Sequence, residues 1–198
     1  EPASKEIKKE VSVISNRILT EIDRITELMN NILVFGKYEY GNIKLNIRKI
    51  NLSHFIENLV ETYFDNEKDQ RKLKFTANGK PKLVKSDEAI LTHILTNLIS
   101  NALKYSTNQP SPIIKLNYLK SCYLIEIIDF GIGVPEEESK FLFQSFFRAS
   151  NTSSIKGSGL GLIIVKQFTE LLNGTITIKN NTTEGTIATL TFPYKNSN

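Results

Sequence analysis

Short turns between predicted strands are the feature of this sequence that most constrains its fold. Strands joined by so few residues pair antiparallel with their neighbours. Three such pairs are predicted: Leu73–Ala77 with Lys82–Lys85, Ile113–Tyr118 with Cys122–Ile128, and Thr175–Lys179 with Thr186–Phe192. Helical patterns separate the pairs, so we predict an α+β fold, a two-layer α/β sandwich whose mixed, antiparallel-rich sheet carries helices on one face.

Helices are predicted wherever apolar residues recur every three or four positions. They span Ser53–Phe64, Ser86–Tyr105, Phe141–Phe147 and Leu160–Leu172. Ser53 is the expected cap of the first, because a serine hydroxyl can accept a hydrogen bond from the amides of a first helical turn. The second begins at Ser86 and carries acids in its first turn, where the helix dipole favours negative charge.

One long helical pattern occupies residues 6 to about 36. Its apolar stripe consists of Val11, Ile14, Ile18, Ile22, Ile25, Met29 and Ile32. A lone helix cannot bury such a stripe, so we expect a partner from a second copy of the chain, from the following domain or from residues outside this sequence. We divide the chain into a helix and linker (1–50) and a mixed domain (51–198) with a mobile lid at about 136–159.

Composition excludes several classes of protein. Of all residues, 40% are hydrophobic and 23% are charged, as in soluble globular chains. No apolar run approaches the ~18–20 residues that span a bilayer, and the single cysteine, Cys122, favours a reducing compartment. We expect a cytoplasmic chain without membrane contact. Because it begins without methionine, we also expect it to be a piece of a longer protein.

The net charge of +4 is too small to identify a partner. The densest basic region comprises Lys68, Arg71, Lys72, Lys74, Lys80, Lys82 and Lys85. Only Phe75 interrupts it as an aromatic, whereas nucleic-acid surfaces use several aromatic side chains for stacking. We therefore predict a solvated hairpin face and no nucleic-acid partner.

The segment Asn97–Ser106 is the first candidate site. Asn97, Asn101 and Lys104 share one helical face. Amide oxygens suit Mg²⁺, and a lysine neutralises phosphate. Considered alone, the pattern also fits a helix with a solvent-facing polar side.

Two further segments follow in the chain. Asp129-Phe130-Gly131-Ile132-Gly133 comes directly after a strand, where a carboxylate can accept from an exocyclic amine and glycines allow close approach to a planar ring; a plain turn is the alternative. Gly157-Ser158-Gly159-Leu160-Gly161-Leu162 opens a helix, where free amides favour phosphate. It is neither a P-loop nor a dinucleotide fingerprint.

Together and in this order, these segments resemble the catalytic ATP-binding domain of a sensor histidine kinase. An aromatic segment ending at Arg148 and the closing Glu184-Gly185-Thr186 add to the resemblance. Residues 11–50 resemble the second helix of that family's dimerisation and phosphotransfer domain and the linker that follows it. The resemblance implies the histidine kinase/gyrase-like ATPase fold preceded by one long helix. It also implies ATP and Mg²⁺ as ligands, a response-regulator receiver domain as partner, and a homodimer formed through the N-terminal helix.

The resemblance assigns roles around the phosphates. Asn101 would coordinate Mg²⁺ with Asn97 beside it, and Lys104 would contact phosphate oxygens. Arg148 would approach the γ-phosphate when the lid closes. The glycine-rich segment would hold phosphates through Gly157, Ser158, Gly159, Leu160 and Gly161.

The resemblance also assigns the base pocket. Tyr105 would flank the adenine, and Asp129 would accept a hydrogen bond from its amino group. Gly131 and Gly133 would shape the pocket.

Some positions depart from the family pattern. Gln144 stands where an acid is frequent. Neither His54 nor His93 has the following acid and proline typical of the phosphoacceptor, so we expect that histidine outside this sequence and no autophosphorylation by this chain alone.

Two other functions share parts of this pattern. An ATP hydrolase of the same superfamily would have a glutamate where Asn97 stands, to activate water. A degenerate nucleotide-binding or dimerisation module without autokinase activity remains open.

Overall fold

The computed structural model describes residues 44–63, 71–153, 155 and 157–194, together with individual positions between 11 and 36. The chain forms two compact units, Glu1–Ile43 and Lys44–Asn198. In the first unit the described positions are helical, as predicted. Its described apolar side chains are about half exposed: Val11, Val13, Ile14, Ile18, Leu19, Ile22, Ile25 and Met29. Ile32, also predicted on this stripe, lies outside the described residues.

The second unit alternates strands and helices. In chain order they are β1 (Arg48–Asn51), α1 (Leu52–Tyr63), β2 (Lys74–Asn78), β3 (Leu83–Ser86), α2 (Glu88–Tyr105), β4 (Ile113–Tyr118), β5 (Cys122–Ile128), α3 (Gly161–Leu171), β6 (Thr175–Asn180) and β7 (Thr186–Pro193). The predicted α+β class is confirmed. Where a short aromatic helix was predicted at 141–147, a 3₁₀ helix, Glu136–Phe141, is followed by turns.

Among the described residues, five strands form the main sheet in the order β2-β4-β5-β7-β6, and β1 pairs with β3 in a separate two-stranded sheet. The hairpins β4–β5 and β6–β7 are antiparallel, as predicted. Only β2, at the edge of the main sheet, runs parallel to its neighbour β4. The sheet is therefore mixed and antiparallel-rich.

The predicted hairpin of Leu73–Ala77 with Lys82–Lys85 is wrong. Instead β2 pairs with β4, and β3 pairs with β1, so the two strands belong to different sheets. The Asn78-Gly79 turn signal is real, because Gly79 has a φ of +86°. A side chain at position 79 would overlap the Tyr118 carbonyl. That turn directs the chain away from the main sheet rather than back along it.

The residues that cap α1 and α2 differ from the predicted helix starts, by two positions in α1 and by one in α2. Asn51, not Ser53, accepts from an amide of the first turn of α1, the His54 N–H at 3.3 Å. Asp87, not Ser86, caps α2 by accepting from Ala89 N at 3.0 Å and Ile90 N at 3.2 Å. A carboxylate at this position also gains from the helix dipole.

The core lies between α2, α3 and one face of the main sheet. Helix α2 buries Ile90, Leu91, Ile94, Leu95, Leu98, Ile99, Ala102 and Leu103 along one side. The inward side chains of β4, β5 and β7 meet this layer, and they include Ile114, Leu116, Ile125 and Leu190. On the outer face, Asn78 donates to Asn117, which donates to Glu126. That polar ladder fits a face without helices.

Arg71 does not lie on a solvated hairpin face. Its guanidinium donates to the carbonyl oxygens of Leu103 at 2.7 Å and Ser106 at 2.6 Å, at the C-terminal end of α2. These carbonyls have no intrahelical partner, and a cation there also complements the dipole. Lys72, Lys74, Lys80, Lys82 and Lys85 are exposed, and Lys68 lies outside the described residues. No helix in the described part of the chain is long and apolar enough to cross a bilayer.

Candidate functional site

Helix α2 directs Asn97, Asn101 and Lys104 to one side. Asn97 Nδ2 donates to the His93 carbonyl one turn earlier, at 2.9 Å. This bond fixes the carboxamide so that its Oδ1 faces the start of α3, where a β-carbon at position 161 would lie only 2.8 Å away. No described residue hydrogen-bonds the Asn101 carboxamide. Helix α2 therefore presents the Asn97 amide oxygen beside the N-terminus of α3, with Asn101 one helical turn further along the same face.

The glycine-rich segment lies against this face of α2. A β-carbon at Gly157 would come within 2.9 Å of Lys104 Nζ and 3.8 Å of the Tyr105 hydroxyl. At Gly157 and Gly161 the absence of a side chain is therefore what admits the polar groups of α2. Two segments that are 50 residues or more apart in sequence thus meet in one place.

The start of α3 offers unpaired amides. The helix begins at Gly161 after the buried Leu160, whose own N–H is directed to Ser158 Oγ at 3.3 Å. The first amides of any α-helix lack intrahelical acceptors. With Lys104 alongside, this end of α3 is electropositive and suited to an anion.

The aromatic part of the lid joins the glycine-rich segment through backbone contacts. Phe146 N donates to the Gly159 carbonyl at 3.0 Å, and the two residues have left-handed φ values of +64° and +73°. A β-carbon at Gly159 would come within 3 Å of the Phe146 backbone. The Phe146 ring itself is 69% exposed. The two segments are therefore held together by the main chain rather than by the ring.

Arg148 is bound within the lid. Its guanidinium donates to the carbonyls of Thr152, at 2.6 Å, and Ile155. It also acts on Tyr105: burial raises the pKa of that phenol above 10.0, and the positive charge of Arg148 opposes the rise. Arg148 therefore belongs to the same neighbourhood as Lys104 and Tyr105. Ser154, within the predicted lid, lies outside the described residues.

Asp129 is a buried carboxylate with several protein donors. It is 6% exposed. Its Oδ1 accepts from Gly131 N at 2.9 Å and Thr186 N at 3.2 Å, and its Oδ2 accepts from the Thr186 hydroxyl. A carboxylate offers about four acceptor positions. Since two are filled on Oδ1 and one on Oδ2, an acceptor position remains on Oδ2.

The turn after Asp129 packs directly on α2. A side chain at Gly131 would overlap the Tyr105 carbonyl, and Ile132 N donates to that same oxygen at 3.2 Å. A cleft of about 690 Å³ adjoins this turn, and its lining includes Tyr105, Gly131, Gly133, Val134 and Gly185. The described structure thus brings the three predicted segments around the C-terminal half of α2.

Two residues of this site, Thr186 and Asn180, have no predicted role in the sequence. Thr186 belongs to the predicted closing hairpin, and in the structure its hydroxyl donates to the Asp129 carboxylate. The Glu184-Gly185-Thr186 segment carried that signal, because a side chain at Gly185 would overlap the Asp129 carbonyl. Asn180, whose side chain binds the Val134 backbone, left no signal in its local sequence.

The described residues offer no preformed metal site made of carboxylate, thiolate or imidazole ligands. They contain no cluster of three or more His, Cys, Asp or Glu side chains. Asn101 remains the predicted Mg²⁺ ligand, and no hydrogen bond within the described residues occupies its carboxamide. Mg²⁺ often takes one or two protein oxygens and completes its shell with phosphate and water, so the residues present fit a cation that arrives with a phosphate ligand.

Comparison with known proteins yields one domain family. Residues 86–196 match the model of the histidine kinase-, DNA gyrase B- and HSP90-like ATPase domain. The chain is 30% identical to the sensor histidine kinase WalK of Bacillus subtilis over 181 residues, which is 88% of this chain and 29% of WalK. It is 29% identical to histidine kinase 5 of Arabidopsis thaliana, over 96% of this chain and 24% of that protein. The chain therefore spans less than a third of these relatives.

Solved structures show the same fold. The chain is similar to the histidine kinase AdeS of Acinetobacter baumannii, with a TM-score of 0.75, 23% identity, and coverage of 93% of this chain and 85% of that one. It is also similar to full-length ShkA, determined in complex with AMPPNP, with a TM-score of 0.75, 19% identity, and coverage of 87% and 36%. At these identities the likeness concerns the fold.

Proposed function

Because this chain belongs to the histidine kinase-, DNA gyrase B- and HSP90-like ATPase family, we propose that it is the ATP·Mg²⁺-binding kinase core of a two-component sensor histidine kinase. The observation that carries the proposal is the convergence of three segments on α2: the Asp129 turn, the glycine-rich segment and the lid that contains Arg148. Each supplies a different part of a nucleotide site.

The base end of the site rests on Asp129. Three protein donors orient this buried carboxylate and leave an acceptor position on Oδ2. The exocyclic amine of adenine is a donor and can fill that position, whereas the guanine carbonyl at the corresponding place would face a carboxylate. Tyr105 and the glycines at 131 and 133 bound the same region.

The phosphate end rests on α2 and α3. Lys104 and the first amides of α3 supply positive potential, and the Gly157 and Gly161 backbone leaves room for phosphate oxygens beside Asn97. Asn101 would hold Mg²⁺, and the ion would supply positive charge to the phosphates. Arg148 would exchange its two lid carbonyls for the γ-phosphate when the nucleotide enters.

In the proposed reaction a histidine imidazole nitrogen attacks the γ-phosphorus. A nitrogen–phosphorus bond forms as the bond from phosphorus to the β,γ-bridging oxygen breaks, and ADP leaves. A response-regulator aspartate then takes the phosphoryl group. Catalysis of this kind depends on positioning and charge neutralisation. Neither His54 nor His93 has the sequence context of an acceptor, so the accepting histidine would come from another chain or segment.

We further propose that the N-terminal helix mediates homodimerisation. Val11, Ile14, Ile18 and Ile25 are each 55–56% exposed, which is unusual for large apolar residues at helical spacing. A second copy of this stripe would cover them. A monomer in sedimentation equilibrium at high concentration would contradict this part of the proposal.

The nucleotide site can be tested by calorimetric titration of ADP and Mg²⁺ into the chain and into Asp129→Asn. The variant should bind at least about tenfold more weakly, since the amide would present a donor to the adenine amine. Glu170→Gln, the same change at an exposed position of α3, is the matched control and should bind normally. Equal affinity in Asp129→Asn would contradict the assignment. Binding without phosphoryl transfer to an added acceptor domain would instead favour the degenerate module.

A further inference from the structure

The side chain of Asn180 binds a single residue of the Asp129 turn at both of its backbone groups. Asn180 Oδ1 accepts from Val134 N at 2.8 Å, and Asn180 Nδ2 donates to the Val134 carbonyl at 2.8 Å. A neighbouring strand would satisfy the backbone in a similar two-bond manner. Asn180 ends β6, so its carboxamide extends the sheet's hydrogen bonding by one residue, onto the backbone of Val134.

The position of Asn180 links it to Asp129. In the β6–β7 register, Asn180 lies opposite Thr186, and Thr186 holds the Asp129 carboxylate. One cross-strand pair therefore fixes both ends of the segment 129–134. Thr186 holds its first residue, and Asn180 holds its last.

Between these ends the segment has little freedom. Ile132 N is bound to the Tyr105 carbonyl. Gly133 has a φ of +65°, and a β-carbon there would lie 3.2 Å from Asn180 Oδ1. From the lid, Asn151 Nδ2 donates to the Gly133 carbonyl at 3.1 Å. The segment 129–134 is therefore hydrogen-bonded to the end of β6 on one side and to the lid on the other.

We infer that Asn180 is a positioning residue for the base end of the nucleotide site. The inference rests on the proposed function, because the segment 129–134 is the proposed adenine pocket. Without the carboxamide, Val134 loses the partner that holds it to β6, and the loop gains freedom that nucleotide binding must then remove. The cost falls on the base rather than on the phosphates, which are held by α2 and α3.

The test compares two ligands and three variants of the whole chain. Mg·ADP probes the complete site, and Mg·tripolyphosphate probes the phosphate end alone. Asn180→Ala removes both hydrogen bonds. Asn180→Asp keeps the size and the acceptor but places a carboxylate oxygen against the Val134 carbonyl. Asn78→Ala is the matched control, because Asn78 also ends a strand and bonds only on the outer face of the sheet. Thermal unfolding followed by circular dichroism checks that each variant folds.

We expect Asn180→Ala and Asn180→Asp to weaken ADP binding about tenfold and to leave tripolyphosphate binding and the Asn78→Ala control unchanged. If Asn180→Ala has no unfolding transition, the isosteric Asn180→Asp decides alone. ADP affinity within about twofold of the unaltered chain, or an equal loss for both ligands, overturns the inference while the proposed function stands. Failure of the unaltered chain to bind ADP removes the proposed function itself, and the inference with it.

Discussion

Asp129 and Thr186 are 57 residues apart in sequence, yet Thr186 donates to both oxygens of the Asp129 carboxylate, through its amide and its hydroxyl. Asp129, which directly follows β5, is in this way oriented by the first residue of β7. A carboxylate buried to this degree is stable only with such donors. The arrangement makes the orientation of Asp129 a property of the sheet rather than of its own turn.

Thr186→Val should therefore damage the site without altering its shape. Valine keeps the volume of threonine but removes the hydroxyl donor, leaving a buried carboxylate oxygen short of one partner. We expect the free energy of unfolding to fall by about 1–2 kcal/mol and ADP affinity to fall about tenfold. Calorimetry and denaturant unfolding measure both. Thr186→Ser retains the donor and should stay close to the unaltered chain; equal losses in serine and valine would argue against the hydroxyl's role.

Gly161→Ala should weaken nucleotide binding by steric means. The added β-carbon would lie 2.8 Å from Asn97 Oδ1, so Asn97 must turn away from the start of α3. Alanine itself favours helix, so the thermal unfolding midpoint should not fall much while ADP affinity drops at least about tenfold. Gly36→Ala is the control, since nothing lies within 4 Å of its β-carbon position. Unchanged affinity in Gly161→Ala would show that Asn97 does not need its present orientation.

Arg71→Lys should lower stability although the charge is kept. The guanidinium reaches the Leu103 and Ser106 carbonyls at once, and a lysine ammonium lacks this fork geometry. We expect the free energy of unfolding to fall by about 1–2 kcal/mol, measured by urea denaturation. Lys72→Arg, at the exposed neighbouring position, should change stability little. If Arg71→Lys unfolds at the same urea concentration as the parent, the bonds of Arg71 to the C-terminal carbonyls of α2 contribute nothing measurable to stability.

Alkaline pH should destabilise the domain through Tyr123. Burial raises the pKa of this phenol above 10.0, and a hydrogen bond with Ser86 only partly opposes the rise. The unfolded phenol therefore ionises first. Its contribution to stability is complete below pH 10.0 and is lost as pH rises through the higher pKa of the folded state. Unfolding free energies at about pH 8 and about pH 10.5 should differ less in Tyr123→Phe than in the parent. An identical pH slope in both would contradict the assignment to Tyr123.

Local patterns predicted the elements better than their pairing. The hairpins β4–β5 and β6–β7 were predictable because each short turn joins two strands that pair directly with one another. The Asn78-Gly79 turn gave the same signal, but β2 pairs with residues 113–117 and β3 with residues 48–51. The strand with which each of them pairs is decided by burial of side chains across the whole sheet. The residues of a local turn do not specify that partner.

The residues of the site were likewise predictable only where the local sequence marks them. Asn97, Asn101, Lys104 and the glycines stood out because their residue types are unusual at those positions. Arg71 and Asn180 did not, because their partners are backbone groups of distant segments, 32 to 46 residues away. A backbone partner leaves no mark in the composition around the side chain that binds it.

Titration of Mg·ADP and Mg·GDP into the unaltered chain distinguishes an adenine nucleotide site at Asp129 from every alternative that lacks base recognition. We expect ADP to bind and GDP to bind at least about tenfold more weakly, because the guanine carbonyl would face the Asp129 carboxylate. Equal affinity for the two nucleotides, or no binding of either by a folded sample, would contradict it.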